Sequence, residues 1–301
     1  MFKTFVSDCL QNYTILSIFT EQIIYEMKNL LITLGTAAIL AVSLTSCSVS
    51  KNLRQTDNQI GIVAHRGFWN CDEAGYAQNS VAALKAAQDA GFWGSEFDVQ
   101  LTSDFVVVSN HDKEYGPEKW VIADHTYEQL CKYPLPNGEK LPTLADYLRQ
   151  GKQSDKTVLV LEIKTQRSDE LTNTLVDKTM EVIKEEGLYD PSKIVFISFS
   201  ELACLRIAQM HPDFEVQYLN GDMNAEELQE NNLEGADYHY AFYHLNKKFV
   251  KQLHERNLKS NVWTVDKEKE MKYLFNLGID QITTNEPLKA REILSEREFT
   301  L

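Results

Sequence analysis

From residue 60 onward, apolar β-branched runs alternate with amphipathic stretches of helical period. The strand-like runs are IGIVAH, GSEFDVQL, TVLVLEIK, KIVFISF, FEVQYL, ADYHYA, SNVWTV and DQITT. Between them, apolar positions recur every three to four residues over 80–90, 171–186, 201–210, 225–231, 247–257 and 267–277, which predicts helices there. Such alternation builds parallel βαβ units, and eight strands in about 240 residues match an α/β TIM barrel, (β/α)8, as a single domain over 60–301. One further run, FVVVSNHD, follows the second strand. Residues 113–156 hold no clear strand and are expected to form a loop insertion over one barrel end. No internal repeat or interdomain linker interrupts the pattern.

The stretch before residue 60 reads differently. MKNLLITLGTAAILAVSLTSC, from Met27 to Cys47, begins with a positive charge at Lys28 and continues as an apolar run to Leu44. That run suits a signal-peptide h-region and falls short of the roughly 20 residues of a spanning helix. It ends in LTSC, which resembles the lipobox of bacterial lipoproteins and makes Cys47 the expected lipidated N-terminus. On this reading residues 1–46 are a removed leader, with Met27 as its start, and 47–59 form a polar tether. An uncleaved membrane anchor is the alternative, disfavoured by the missing stop-transfer flank. The expected location is the cell envelope, on the outer membrane or its periplasmic side, since Ser48 carries no recognisable inner-membrane retention signal.

The whole chain has a formal charge of −14. Residues 1–46 hold two basic and three acidic side chains, so the remainder stands at −13. A surface of that sign repels nucleic acid, and an anionic substrate must be held by local positive charge. Cys71, Cys131 and Cys204 lack zinc-ligand spacing. A disulfide between two of them is open in an oxidising envelope, but spacing assigns none.

Candidate chemistry lies where polar residues end the apolar strands, because a barrel of this kind works at the C-terminal ends of its strands. His65 and Arg66 end the first strand. Glu96 and Asp98 lie two apart in the next, His111 ends VVVSNH, and Glu162 and Lys164 again lie two apart. Period-two alternation sends Glu96 and Asp98 into the barrel, with Phe97 and Val99 facing the helices. Three carboxylates and two imidazoles in one low-dielectric mouth are costly without a compensating cation. Carboxylate oxygens suit the hard ions Ca²⁺ and Mg²⁺, whereas zinc would more commonly recruit the imidazoles.

Taken together, AHRG, QNS at 78–80, EFD at 96–98, HD at 111–112 and LEIK at 161–164, followed by VWTVD and LGIDQITTNEP, resemble the glycerophosphodiester phosphodiesterase family, in order, from Ile62 to about Pro287. The resemblance implies a TIM barrel that hydrolyses glycerophosphodiesters to glycerol 3-phosphate and an alcohol with one Ca²⁺ or Mg²⁺. Residue by residue, it makes Glu96, Asp98 and Glu162 metal ligands, His65 and His111 the acid/base pair, and Arg66 and Lys164 phosphate holders, with Gly67 permitting close backbone approach. Two positions depart from the family: Gln78 stands where Glu is common, and Asn285 where Asp is common. Trp263 is expected on the substrate side by this analogy, although an aromatic barrel residue also serves as core. Phe68 and Trp69 would form an apolar wall for the substrate or staple their loop. His239 and His244 have no identifiable partner and read as ordinary buried or exposed residues. Two other functions share these features: a phospholipase D-like lipid phosphodiesterase, and a lipoprotein that binds phosphodiesters or glycans without catalysis.

Overall fold

The computed structural model describes residues 60–298; the expected leader, Cys47 and most of the tether lie outside the described residues. Eight parallel strands close a barrel: β1 (Gly61–Ala64), β2 (Gly94–Leu101), β6 (Val158–Ile163), β7 (Ile194–Ser198), β8 (Glu215–Tyr218), β9 (Gly235–His239), β10 (Lys259–Trp263) and β11 (Gln281–Thr284). Closure runs from β1 to β11 on one side and to β2 on the other. The expected barrel is therefore present.

Strand parity divides the side chains as the period-two pattern requires. Val63, Val158, Val160, Val195, Ile197 and Leu219 fill the barrel interior. Phe97, Val99, Leu161, Ile163, Phe196 and Val262 face outward into the main core beneath the helices. Lower in the interior, Gln217 Nε2 donates to Glu215 Oε1 (2.6 Å) and Gln281 Oε1 (2.8 Å), and Asn261 Nδ2 donates to Gln217 Oε1 (3.2 Å). That layer is polar yet internally satisfied, as burial demands.

Short polar caps start the helices. Ser80 Oγ accepts from Ala83 N at the head of α1 (Val81–Asp89). Ser168 caps α4 (Asp169–Glu185), Ser200 caps α5 (Glu201–Met210), and Asn224 caps α6 (Ala225–Glu230) through a capping box.

Between β2 and β6 the extra run FVVVSNHD forms a strand as expected, and within 113–156 the structure corrects the expectation of an unbroken loop. β3 (Val107–Ser109) runs antiparallel to the upper half of β2, pairing Val99 with Ser109. A two-stranded ribbon of β4 (Glu114–Tyr115) and β5 (Trp120–Val121) follows, and then α2 (Tyr127–Leu130). Residues 144–151 are not loop at all: α3 (Leu144–Gly151) is a barrel helix that buries Leu144, Tyr147 and Leu148, with Tyr147 stacked on Phe97 at 4.0 Å. Its capping box, Thr143 with Asp146, was available in the sequence, but the helix is too short to give a clear period. The run ADYHYA likewise divides, ending β9 at His239 and opening the short α7 (Tyr240–Leu245). α8 (Phe249–His254) and α9 (Glu268–Leu277) match expected helices, and α10 (Pro287–Glu298) is an addition that packs Ala290 and Ile293. Cys71, Cys131 and Cys204 are free.

At the lower end of the barrel, Asp280 Oδ2 accepts from Ser260 N (2.8 Å), Ser260 Oγ (2.8 Å) and His254 Nε2 (2.9 Å). Burial pushes the Asp280 carboxyl up, but its hydrogen bonds from His254 and Ser260 outweigh that and hold it below its ordinary range. His254 moves up through its hydrogen bond to Asp280. A depressed acid stabilises above its unfolded pKa and loses that as pH falls through the folded one. A raised histidine stabilises below about 6.5 and loses that as pH rises through its folded value. The joint contribution is therefore greatest near pH 5–6. Asp280→Ala is expected to cost about 2 kcal/mol there, mostly from the orphaned Ser260 donors because His254 is half exposed. Urea unfolding of both proteins across pH 3–8 checks this; a difference that grows steadily toward pH 8 would contradict it.

Candidate active site

The chain leaves β1 through a tight turn that aims two side chains at the barrel mouth. Arg66 adopts a left-handed backbone (φ 55°), as does Gly67 (φ 78°). A non-glycine residue there is strained, and the strain is held by three hydrogen bonds: Arg66 N to Glu96 Oε2 (2.7 Å), Gly67 N to Glu96 O (2.9 Å) and Asn79 N to Arg66 O (2.9 Å). A Cβ on Gly67 would lie 2.6 Å from that of Ala83 and 2.9 Å from its carbonyl carbon. Gly67→Ala is accordingly expected to cost about 2 kcal/mol and to displace the Arg66 turn. An unchanged melting temperature would contradict this.

Glu96, Asp98 and Glu162 each offer a carboxylate oxygen within 4.8 Å of the others, and all three are buried. Asn79 clamps the middle one, donating through Nδ2 to Asp98 Oδ2 (2.8 Å) and accepting from Asp98 N at Oδ1 (3.0 Å). Burial, then the charges of Asp98 and Glu162, drives Glu96 well above the usual carboxylate range. Burial and the Asp98 charge push Glu162 up to about 8. Burial also raises Asp98, but Lys164, His111 and the Asn79 hydrogen bond prevail and hold it low. Lys164 Nζ sits 2.8 Å from Glu162 Oε1 and 3.2 Å from Asp98 Oδ1. One ammonium cannot balance three carboxylates, so without a second cation two of them are held up in their protonated range, and an all-oxygen donor set of this kind fits a hard divalent cation.

The two histidines arrive by different routes. His65 follows β1, and its Nδ1 lies 2.9 Å from Asn285 Oδ1 beyond β11. Asp266 fixes that amide by accepting from Asn285 N and Nδ2, both at 2.9 Å, so the amide oxygen faces His65 and makes Nδ1 the protonated nitrogen. Burial, then the Arg66 charge, holds the His65 imidazole down at about 4. It is neutral at ordinary pH, with a free acceptor at Nε2. His111 is carried back over the mouth by the antiparallel β3, where Asn110 N bonds Asp98 O (3.2 Å). Its Nδ1 lies 2.7 Å from Asp112 Oδ1.

Five of these groups, His65, Arg66, Glu96, His111 and Glu162, line a cavity of about 140 Å³ together with the apolar side chains of Ile197, Phe199, Leu219 and Trp263. Arg66 Nη1 donates to Gln78 Oε1 (2.7 Å), so the neutral amide orients the guanidinium without cancelling its charge, and the buried Nε has no protein partner. Trp263 lines the cavity as expected, its Nε1 bonded to Asp237 O (2.7 Å). Of the two roles open to Phe68, packing favours the staple: its ring meets Phe92 edge-on at 5.3 Å, and it is not among the residues lining the cavity. Trp69 donates to Asn285 Oδ1 (3.1 Å). His239 packs against Trp263 and His244 pairs with Glu270, so neither belongs to the cavity lining. Sequence reasoning gave no role to Asn79, Asp237 or Asp266. For Asp237 a signal existed, since an acid inside GADYH shares the inward parity of Gly235.

The comparisons with known proteins agree with this architecture. The chain is 26% identical over 238 residues to a glycerophosphodiester phosphodiesterase of Caldanaerobacter subterraneus subsp. tengcongensis, an alignment covering 75% of this chain and 94% of that protein. It is 27% identical over 248 residues to one of Bacillus altitudinis, covering 78% and 98%. A solved glycerophosphodiester phosphodiesterase from Parabacteroides distasonis superposes with a TM-score of 0.76 at 37% identity, over 81% of this chain and all of that one. The sequence model of the glycerophosphoryl diester phosphodiesterase family matches residues 65–289, spanning the whole site, and the chain belongs to that family of phosphoric diester hydrolases.

Proposed function

We propose that this enzyme cleaves glycerophosphodiesters to glycerol 3-phosphate and an alcohol, using a divalent cation and two histidines. The observation that carries the reading is the cavity itself, where half-buried Arg66, Glu96, Glu162 and two separately mounted imidazoles converge, with Asp98 completing the carboxylate trio. Glu96, Asp98 and Glu162 would hold the ion, Ca²⁺ or Mg²⁺. When bound, it supplies Lewis-acid neutralisation of a phosphate oxygen.

The chain's own groups do the rest. Arg66 and Lys164 balance the diester charge, Arg66 through a planar fork with its unpartnered Nε. His65 Nε2, neutral and unprotonated, takes the proton of the glycerol 2-hydroxyl as that oxygen attacks phosphorus. The bond from phosphorus to the head-group oxygen breaks, and protonated His111 gives that oxygen its proton. The product is a cyclic phosphate. Water then opens the ring with the histidine roles reversed, restoring both protonation states. The Asp266–Asn285 relay keeps His65 in the tautomer this requires.

Assay on glycerophosphocholine beside phosphatidylcholine and sphingomyelin tests the reading. Turnover of the first alone is expected; preference for an intact lipid would favour the phospholipase D-like alternative, and turnover of none would favour a binding lipoprotein. Anchoring through a lipid on Cys47 is part of the same proposal. Cys47→Ser is expected to release the protein from the membrane fraction.

A further inference from the structure

The glycerol-facing chemistry of the cavity turns on a residue that none of the roles above uses. Asp237 lies within β9, is 1% exposed, lines the cavity, and neither carboxylate oxygen has a hydrogen-bond partner in the protein. Its register neighbour Asn261 bonds elsewhere, donating to Gln217 Oε1 and accepting from Val262 N and Thr283 Oγ1. The satisfied polar layer thus stops short of Asp237. A buried carboxyl without partners costs stability, which marks a position retained for something else.

The ligand it suits follows from its surroundings. Among the described residues no lysine or arginine pairs with it, so it does not favour a phosphate oxygen. Ile197, Leu219 and Trp263 line the same cavity, with Trp263 Nε1 bonded to Asp237 O, and they fit carbon better than ionic groups. Phe199, 37% exposed, marks the open rim, where head groups of differing size have room. The deep end is left for the small, constant glycerol moiety. Burial and the Glu162 charge also hold the Asp237 carboxyl well above its ordinary range, giving it one donor and one acceptor for a hydroxyl.

We infer that Asp237 is a specificity-determining residue that binds the terminal hydroxyl of the substrate's glycerol, restricting the enzyme to phosphodiesters of a vicinal diol. The inference rests on the phosphodiesterase reading and deepens it. It is distinct from the chemistry at the 2-hydroxyl, so a substrate pair can isolate it. 2,3-Dihydroxypropyl p-nitrophenyl phosphate and 2-hydroxypropyl p-nitrophenyl phosphate keep the attacking hydroxyl and the leaving group and differ only in the terminal hydroxyl.

Wild-type enzyme is expected to prefer the diol by on the order of 10²-fold in kcat/KM, because a site built to bind a hydroxyl rejects the analogue lacking it. Asp237→Val should collapse that preference to within about three-fold, chiefly through KM of the diol substrate, while Asp237→Asn, which keeps a donor and an acceptor, should retain most of it. The valine protein should melt no lower than wild type, since an unpartnered buried carboxyl is removed. A preference that survives in Asp237→Val overturns the inference, as does an equal loss on both substrates. A ten-fold rise in the Ca²⁺ needed for half-maximal activity also overturns it, by making Asp237 a metal ligand. Wild-type failure on both substrates would instead sink the phosphodiesterase reading, and this inference with it.

Discussion

Exhaustive chelation is expected to lower hydrolysis of glycerophosphocholine by on the order of 10³-fold, about 4 kcal/mol of transition-state stabilisation, with recovery on adding Ca²⁺ or Mg²⁺. The reason lies in the charges. Glu96, Asp98 and Glu162 are buried within 4.8 Å of one another, and the only cation contacting any of them directly among the described residues is Lys164. Anionic phosphate cannot approach such a group unless its excess charge is neutralised. Lys164 cannot do this alone, because it already pairs with Asp98 and Glu162. The same argument gives a readout independent of activity: Ca²⁺ should raise the melting temperature, as any ligand of the folded state does. Glu162→Gln should raise the half-saturating ion concentration at least ten-fold. Without metal it should be about as stable as wild type near pH 7, since burial and the Asp98 charge already hold the Glu162 carboxyl up at about 8 and the amide keeps an acceptor for Lys164. Full activity after chelation, with no thermal response to either ion, would sink the metal assignment.

Much of this site was legible because a barrel turns chain order into geometry. Strand parity alone sets Glu96 and Asp98 inward and Phe97 and Val99 outward, and the structure follows it. His65, Arg66 and Glu162 stand at strand ends for the same reason. What escaped depends on contacts between distant segments. Asn79 supports Asp98 through two hydrogen bonds across 19 positions, and Asp266 acts on His65 only through Asn285. Asn285 in place of the family's common Asp weakens a charge-based role at that position, and none is present. Its amide in fact keeps the orienting bond while sparing His65 a negative neighbour, consistent with the low pKa of that imidazole. The two roles left open for Phe68 could not be told apart for a related reason: sequence proximity to HRG says nothing about which face of the turn a side chain takes, and in the fold it packs against Phe92. Helix α3 was hidden because its eight residues carry barely two helical turns.

The histidines carry the second large effect. His65→Ala and His111→Ala are each expected to lower kcat by about 10²-fold or more, the usual worth of a general acid or base. The two losses should differ in kind. His65 is half-buried, neutral and locked by Asn285, so its loss removes the base for the first step whatever the leaving group. His111 serves the departing oxygen, so its loss should be partly masked with p-nitrophenolate, which leaves without a proton. Comparing each variant on glycerophosphocholine and on a glyceryl p-nitrophenyl diester therefore separates base from acid. If His65→Ala, rather than His111→Ala, is the variant rescued by the better leaving group, the assignment is reversed. The route itself is tested with a glycerol 2-deoxy substrate, which lacks the attacking hydroxyl and should not turn over. Near-normal hydrolysis of that analogue would exclude the cyclic phosphate and require direct attack by water. His65 would then deprotonate water instead, and the histidine variants would still decide whether the pair works as acid and base.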